Sequence, residues 1–265
     1  MDRTFRHVLI TRFNVEISYA SPGRGIEDDW LRNRIEVFDR ITVPSVQSQT
    51  APLDAWMVFL NAQSPAWFRA NIEEREYLTP VWIDGPLLDG RIPEELAALG
   101  FADREFLITS RVDNDDALSR DYVATVQRQF ARQERLFVEF PNGIEYANGD
   151  YYRKRWRSNP FLSLIERTGP QVDTVICRPH TEVRRAEPTL TLWDHEMWMQ
   201  NSHPLSATSP RVRNVHPIFR RRRPEGIICH WEDDGGSMRR RLGIAIRSVP
   251  HSARLTAYRI LRRVD

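Results

Sequence analysis

Apolar positions in the first half of the chain fall in short solid runs, separated by stretches with helical spacing. His7 to Val15 (HVLITRFNV), Ala55 to Leu60 (AWMVFL), Thr79 to Ile83 (TPVWI) and Arg104 to Val112 each read as a β-strand, with Pro80 tolerated near an edge. Between them, Asp28 to Arg40 places Trp30, Leu31, Ile35 and Phe38 on one side, behind an acidic start that complements a helix dipole. Pro65 to Glu76, a short stretch from Glu94 to Ala98, and Asp121 to Arg135 read as further helices. Such alternation predicts a mainly parallel sheet in a three-layer α/β fold.

Beyond residue 136 the pattern changes. Leu136 to Phe140 and Gly143 to Ala147 flank Pro141-Asn142, which predicts a β-hairpin. Loops and short strands continue through Val183. A polar, Pro-punctuated segment, Asn201 to Arg213, leads into Arg220-Arg221-Arg222-Arg223. Ser252 to Val264 sets Leu255, Tyr258, Ile260 and Leu261 among arginines, as in a basic amphipathic helix. Its apolar side either packs onto the rest of the protein or meets an anionic membrane, and the pattern slightly favours packing.

Composition narrows the class without naming a partner. The 265 residues are 41% hydrophobic and 28% charged, ordinary values for a soluble enzyme with a substantial core. Net charge is only +2, so global charge selects neither nucleic acid nor membrane. Lys154 is the only lysine; every other basic side chain is an arginine. Cys177 and Cys229 have no metal or redox spacing and read as free thiols in a reducing compartment. The amino-terminal residues run straight into a strand with no signal-peptide core. No apolar run reaches the ~18 to 20 residues that span a bilayer. A cytoplasmic protein is expected, with peripheral contact at the inner membrane face left open.

Chemistry enters where the fourth strand ends, at Val112-Asp113-Asn114-Asp115-Asp116. Along a strand alternate side chains share a face, so Asp113 and Asp115 can point the same way, with Asp116 reached through a turn. Carboxylates this close repel, and their pKa values rise, unless a cation or hydrogen-bond donors compensate. By the same logic, Asp115→Asn should change the melting temperature little. An oxygen-only cluster at a strand end suits Mn²⁺ or Mg²⁺, although the same residues could form an acidic turn capping the next helix. The end of a buried strand is the usual ligand position in open α/β sheets.

Several collinear blocks extend the picture. They are Leu9-Ile10-Thr11-Arg12-Phe13-Asn14, Trp30-Leu31 with Arg34 and Phe38, and Pro44 to Thr50 before Trp56. Thr109 to Leu118, Ser158 to Glu166, and Trp198-Met199-Gln200 with His203 complete the set. Together they resemble the rhamnosyltransferase family, and the architecture resembles the GT-A fold of nucleotide-sugar glycosyltransferases. In that fold a Rossmann-like, mainly parallel half precedes a mixed β half on the acceptor side. The resemblance implies a GT-A-like domain over residues 1–205, with a nucleotide-sugar half of about 1–118 and an acceptor half of about 119–205. Residues 206–265 would be a basic extension packing on it.

The same resemblance assigns roles. Asp113-Asn114-Asp115 would be the DxD motif, and Asp113, Asp115 and His203 would hold Mn²⁺ or Mg²⁺. Thr11, Arg12, Phe13 and Asn14 would meet the nucleotide, although Arg12 could equally pair with a helix carboxylate. Asn61 falls where many GT-A enzymes place a base-recognising carboxylate; it could also start a turn. Arg111, Asp113, Asp116, Ser158 and Asn159 would line the donor, while Ser158 or Asn159 could instead cap a helix with Pro160 at its first position. Asp194 and Glu196 are the nearest carboxylates for an acceptor base, or else first-turn helix residues. Tyr151 to Arg157 interleaves aromatics and cations, as in a cleft wall or a solvated basic strand.

The expected activity is metal-dependent transfer of a sugar from a nucleotide-diphosphate sugar to a glycan or glycolipid, such as a surface polysaccharide. No nucleic-acid partner is expected. The alternatives are a nucleotide- or glycan-binding protein without turnover, and a binder of anionic polymers whose affinity would fall steeply with salt.

Overall fold

The computed structural model describes residues 3–16, 24–88, 90–147, 150–202, 215–217 and 226–230. His203, Arg220 to Arg223 and the proposed helix Ser252 to Val264 lie outside the described residues.

Each of the four predicted strands forms: β1 (Phe5–Arg12), β2 (Ala55–Asn61), β3 (Thr79–Ile83) and β4 (Phe106–Arg111). The first helix, α1 (Asp28–Val37), continues through a π turn at Phe38–Thr42 into α2 (Val43–Gln47). Next come α3 (Ala66–Glu73) and α4 (Arg91–Ala98), then β5 (Ala117–Leu118), α5 (Tyr122–Gln127) and β6 (Arg135–Glu139). The remaining elements are β7 (Asn142–Ala147), β8 (Asp150–Arg155), β9 (Leu162–Arg167), α6 (His180–Ala186), β10 (Thr189–Thr191), β11 (Trp198–Ser202) and β12 (Val215–Pro217). Seven strands form one sheet in the order β10-β6-β9-β4-β1-β2-β3, in which β9 alone runs against its neighbours. A smaller sheet follows the order β12-β8-β7-β11-β5. The α/β, mainly parallel fold with a mixed second half is therefore as expected.

Strand parity sorts the core into two layers. Leu9, Val58, Leu60 and Ile108 face α1, α3 and α5, meeting Leu31, Phe68, Ile72 and Tyr122. Val8, Ile10, Met57, Phe59, Leu107, Leu162 and Leu164 face α4 and α6, meeting Ile92, Leu96 and Val183. Coverage of both faces explains the unbroken apolar runs of a parallel sheet.

Two expected elements are corrected. Residues 136–147 do not make a hairpin: β6 stays in the large sheet beside β9 and β10, while β7 pairs with β8 and β11 in the small one. The chain changes sheets at Phe140-Pro141, where the Phe140 carbonyl accepts hydrogen bonds from Trp198 Nε1 (2.7 Å) and Asn159 Nδ2 (2.8 Å). Gly143 permits this crossing, because a Cβ there would lie 2.2 Å from the Trp198 ring. The helix expected over Asp121 to Arg135 stops at Gln127. Beyond it the Gln133 side chain bonds the Ala131 N–H and the Gln129 carbonyl, and Arg132 adopts a left-handed φ of 58°.

A buried polar chain crosses the sheet beneath the strand ends. The Gln127 amide donates to Pro52 O and to His7 Nδ1, so His7 carries its proton on Nε2 and donates it to Ser110 Oγ at 2.8 Å. Ser110 then donates to Ser163 (2.6 Å), Ser163 to the Tyr122 hydroxyl (3.1 Å), and Tyr122 to Phe161 O. One consistent direction satisfies every member, as a buried network requires. Burial, with a smaller push from Arg3, brings His7 from 6.5 down to about 3, while Asp54 opposes the shift. The unfolded chain therefore binds a proton that the folded one refuses between pH 6.5 and about 3. Stability from this group is full above that window and falls by up to ~1.4 kcal/mol per pH unit as pH drops through it. Urea titrations of wild type and His7→Gln across the window should show the variant gaining on wild type toward acid. A pH-independent difference would contradict this assignment.

Candidate functional site

The carboxyl ends of β1 and β4 lie side by side, with Ile10 opposite Arg111 and the Val112 N–H bonded to Ile10 O at 3.1 Å. After Val112 the chain does not continue as a strand. The Asp116 N–H closes on Asp113 O at 3.2 Å, forming a turn that leads into β5 and caps no helix. The expectation that Asp113 and Asp115 share a strand face is therefore corrected: the turn sends them to different arginines. Arg34 of α1 donates to Asp115 Oδ2 (2.5 Å) and Asn114 Oδ1 (3.2 Å), and Arg111 donates to Asp113 Oδ1 (3.1 Å). Asn114 in turn donates to Phe13 O at 2.7 Å.

Electrostatics separates the three carboxylates. Burial would raise Asp113, but Arg111 and Arg12 outweigh it and hold this carboxyl below its ordinary range. Asp116 is pushed well above that range by burial and by the charges of Asp115 and Asp113, against the opposing Asn201 N–H and Lys154. Asp116 accepts that N–H at 2.9 Å and is almost wholly buried. It joins the acidic turn to β11 and does not face a donor.

Parity places the cations. Arg12 continues the row of Val8 and Ile10, and Arg111 continues that of Leu107, so both belong to the face covered by α6. Among the described residues Arg12 has no ion-pair partner. His180 opens α6, one turn before Val183 in the same layer. Its Nδ1 bonds Ser158 O at 2.5 Å, and the Trp156 ring meets the imidazole edge-on at 5.9 Å. Burial lowers His180; Arg111 and Arg12 add to this, while the Ser158 carbonyl and Asp113 oppose it.

Other expected donor residues turn out to hold the scaffold. Thr11 is fully buried and accepts from Trp56 Nε1 at 2.9 Å; Phe13 packs between Phe38 and Phe68. Asn14 joins Gly25 O, Ser64 Oγ and the Asn61 N–H, and Asn61 accepts the Gln63 N–H in a turn. Asn159 is fully buried and braces its own loop through Phe140 O, Trp156 O and the Phe161 N–H. Ser158 adopts a left-handed φ of 53°, gives its N–H to Glu139 and its carbonyl to His180; no helix follows for it to cap. Asp194 and Glu196 precede β11 in a loop, not a helix. Met197 O accepts the Ser119 N–H, and His195 bonds Asp121 at 3.2 Å, so this loop sits beside the start of α5. The acidic turn meets β11 at its other end, at Asn201, and Glu196 is paired with Arg153 at 2.7 Å. Glu196 and Asn201 are five positions apart, up to roughly 16 Å of extended chain. Arg34 belongs to one of the blocks that carry the resemblance but was given no role from sequence, and no pattern marks His180.

Charged groups gathered at the carboxyl ends of parallel strands define the class, an α/β protein with its opening at the usual ligand position. The chain belongs to the glycosyltransferase family described as "Putative rhamnosyl transferase", whose model matches residues 24–213. No curated protein matches the chain in sequence. Among solved structures it is similar to S. aureus TarS in complex with UDP-GlcNAc, at 13% identity and a TM-score of 0.41, covering 76% of this chain and 60% of that one. HddC from Yersinia pseudotuberculosis is similar at 8% identity and a TM-score of 0.36, covering 73% and 92%. The inositol-1-phosphate CTP transferase from T. maritima matches at 6% identity and 0.35, covering 78% and 94%. The chain thus spans about 60% of the length of the TarS chain.

Neutralising Asp115 removes a counter-charge from a guanidinium whose side chain is only 8% exposed, so the expectation of an unchanged melting temperature is also revised. Asp115→Asn should destabilise the ligand-free protein by on the order of 3 kcal/mol, read from chemical denaturation. A loss below ~1 kcal/mol would mean that the pair is far better solvated than its burial indicates.

Proposed function

We propose that the chain transfers a sugar from a nucleotide-diphosphate sugar to a glycan or glycolipid hydroxyl, with the donor diphosphate at the carboxyl ends of β1 and β4. The observation that carries this is the convergence of Arg12, Arg111 and Asp113 on one sheet face at the strand ends, in a chain of a glycosyltransferase family. Guanidinium groups match phosphate oxygens in shape and charge. Arg12, half-buried and at the end of its strand, would bind the diphosphate, and Arg111 would orient it from beside Asp113.

The residues of the turn fit a hard divalent cation. Asp113 and Asp115 offer only oxygen. Among the described residues no group of three metal-competent side chains forms, so waters and phosphate oxygens would complete the shell, as is usual for Mg²⁺. When bound, the cation would screen the charge of the departing diphosphate. Arg34 keeps Asp115 in place.

The anionic-polymer alternative rests on arginine clusters such as Arg220 to Arg223, which lie outside the described residues. No helix of the described residues is long and apolar enough to cross a membrane.

A melting-curve screen of UDP-, GDP-, dTDP- and CMP-sugars, each with and without Mg²⁺ or Mn²⁺, should reveal one stabilising donor class. Asp113→Asn should abolish the divalent-dependent part of the shift. Arg12→Gln should weaken donor binding about tenfold or more, since a hydrogen bond to a charged group contributes ~1.5–3 kcal/mol. If no nucleotide sugar moves the curve under any condition, the proposed activity is wrong.

A further inference from the structure

We propose that His180 is the catalytic base, its Nε2 taking the proton from the acceptor hydroxyl. The proposal rests on the donor site argued above. A carbonyl oxygen only accepts, so the contact with Ser158 O requires the proton on Nδ1 and leaves the lone pair on Nε2. Among the described residues that second nitrogen has no hydrogen-bond partner. The ring is only partly buried, and it opens the helix that covers the sheet face carrying Arg12 and Arg111. On its own helix, Val183 anchors the face that carries the imidazole.

Among the described residues, each carboxylate near the strand ends already has a partner or lies away from His180. Asp113 is bonded to Arg111, Asp115 to Arg34, and Asp116 to the Asn201 N–H. Glu139 is fully buried and accepts from Ser158 N and Thr191 Oγ1. Asp194 and Glu196 lie toward α5, at the other end of β11. Among the described residues a neutral imidazole is the group left to accept a proton beside the diphosphate, and Asp113 would stabilise the imidazolium that results.

In the step itself, the acceptor oxygen bonds to the anomeric carbon as its proton moves to Nε2. The bond from that carbon to the diphosphate oxygen breaks, and its electron pair leaves with the diphosphate. Such a single displacement inverts the anomeric centre. Left-handed Ser158 acts as a positioning residue, because its carbonyl sets the tautomer and its N–H is tied to Glu139.

The test compares wild type with His180→Asn, whose amide can keep the donation to Ser158 O while removing Nε2. Hydrolysis of UDP-GlcNAc, a dTDP-sugar and GDP-mannose with Mg²⁺, water standing in for the acceptor, is read beside calorimetric donor binding. The variant should bind donor within about threefold of wild type and lose ~10²–10⁴-fold in turnover. Imidazole ¹⁵N spectra of wild type should show His180 protonated on Nδ1 at neutral pH, a readout independent of donor and of variant folding. Turnover of the variant within about threefold of wild type would overturn the base role alone, as would a ring protonated on Nε2. Equal losses in binding and turnover would make His180 a donor-binding residue, which also overturns it. A wild type that binds none of the nucleotide sugars would overturn the donor site, and the base with it.

Discussion

One buried guanidinium organises the strand-end opening. Arg34 reaches from α1 to Asp115 and Asn114, and its side chain also lies 4.9 Å from the Trp30 ring. Since Asn114 passes the connection on to Phe13 O, the first helix, the acidic turn and the end of β1 become one hydrogen-bonded unit. Three carboxylates within four residues would otherwise repel and open the turn. By taking Asp115 inward, Arg34 leaves Asp113 at the rim, where its side chain is 38% exposed and shared between Arg111 and the opening. A buried ion pair adds little net stability over apolar packing. Here it fixes which carboxylate of the turn stands most exposed at the strand ends.

The parallel half was legible because a strand covered on both faces must be apolar at every position, and such runs resemble nothing else at that length. Sheet membership was not. Residues on both sides of Pro141-Asn142 have strand character, and alternation says nothing of which sheet a strand joins. That depended on Trp198, more than fifty residues later, filling the space above Gly143 and bonding Phe140 O.

Polar residues at strand ends were the weaker guide to the site. Thr11, Asn14, Asn61 and Asn159 have the donors a nucleotide would want, yet each spends them on backbone or neighbouring side chains. Irregular backbone beside a sheet needs partners of its own, and short amides and hydroxyls supply them. Arginines were better markers, since Arg12 and Arg111 follow from strand parity alone. Arg34 and His180 could not be found this way, because their roles depend on the packing of α1 and α6 over a sheet formed by distant segments.

Charge in the acidic turn is balanced from both sheets. Arg34 acts from the large-sheet side. On the other, Lys154 of β8 lies 3.1 Å from Glu145 and donates to Gln200 at 2.6 Å, and Glu145 also accepts from Ser202 at 3.0 Å. This polar knot joins β7, β8 and β11 beside Asn201, whose N–H holds Asp116. The only lysine in the chain therefore helps to hold Asp116 from the small sheet while Arg34 holds Asp115 from the large one. Movement of either sheet would change the field at Asp113, because the field of the turn falls on the one carboxylate left at the rim. The second sheet, expected from the resemblance to serve the acceptor, is by this coupling part of the electrostatics of the acidic turn as well.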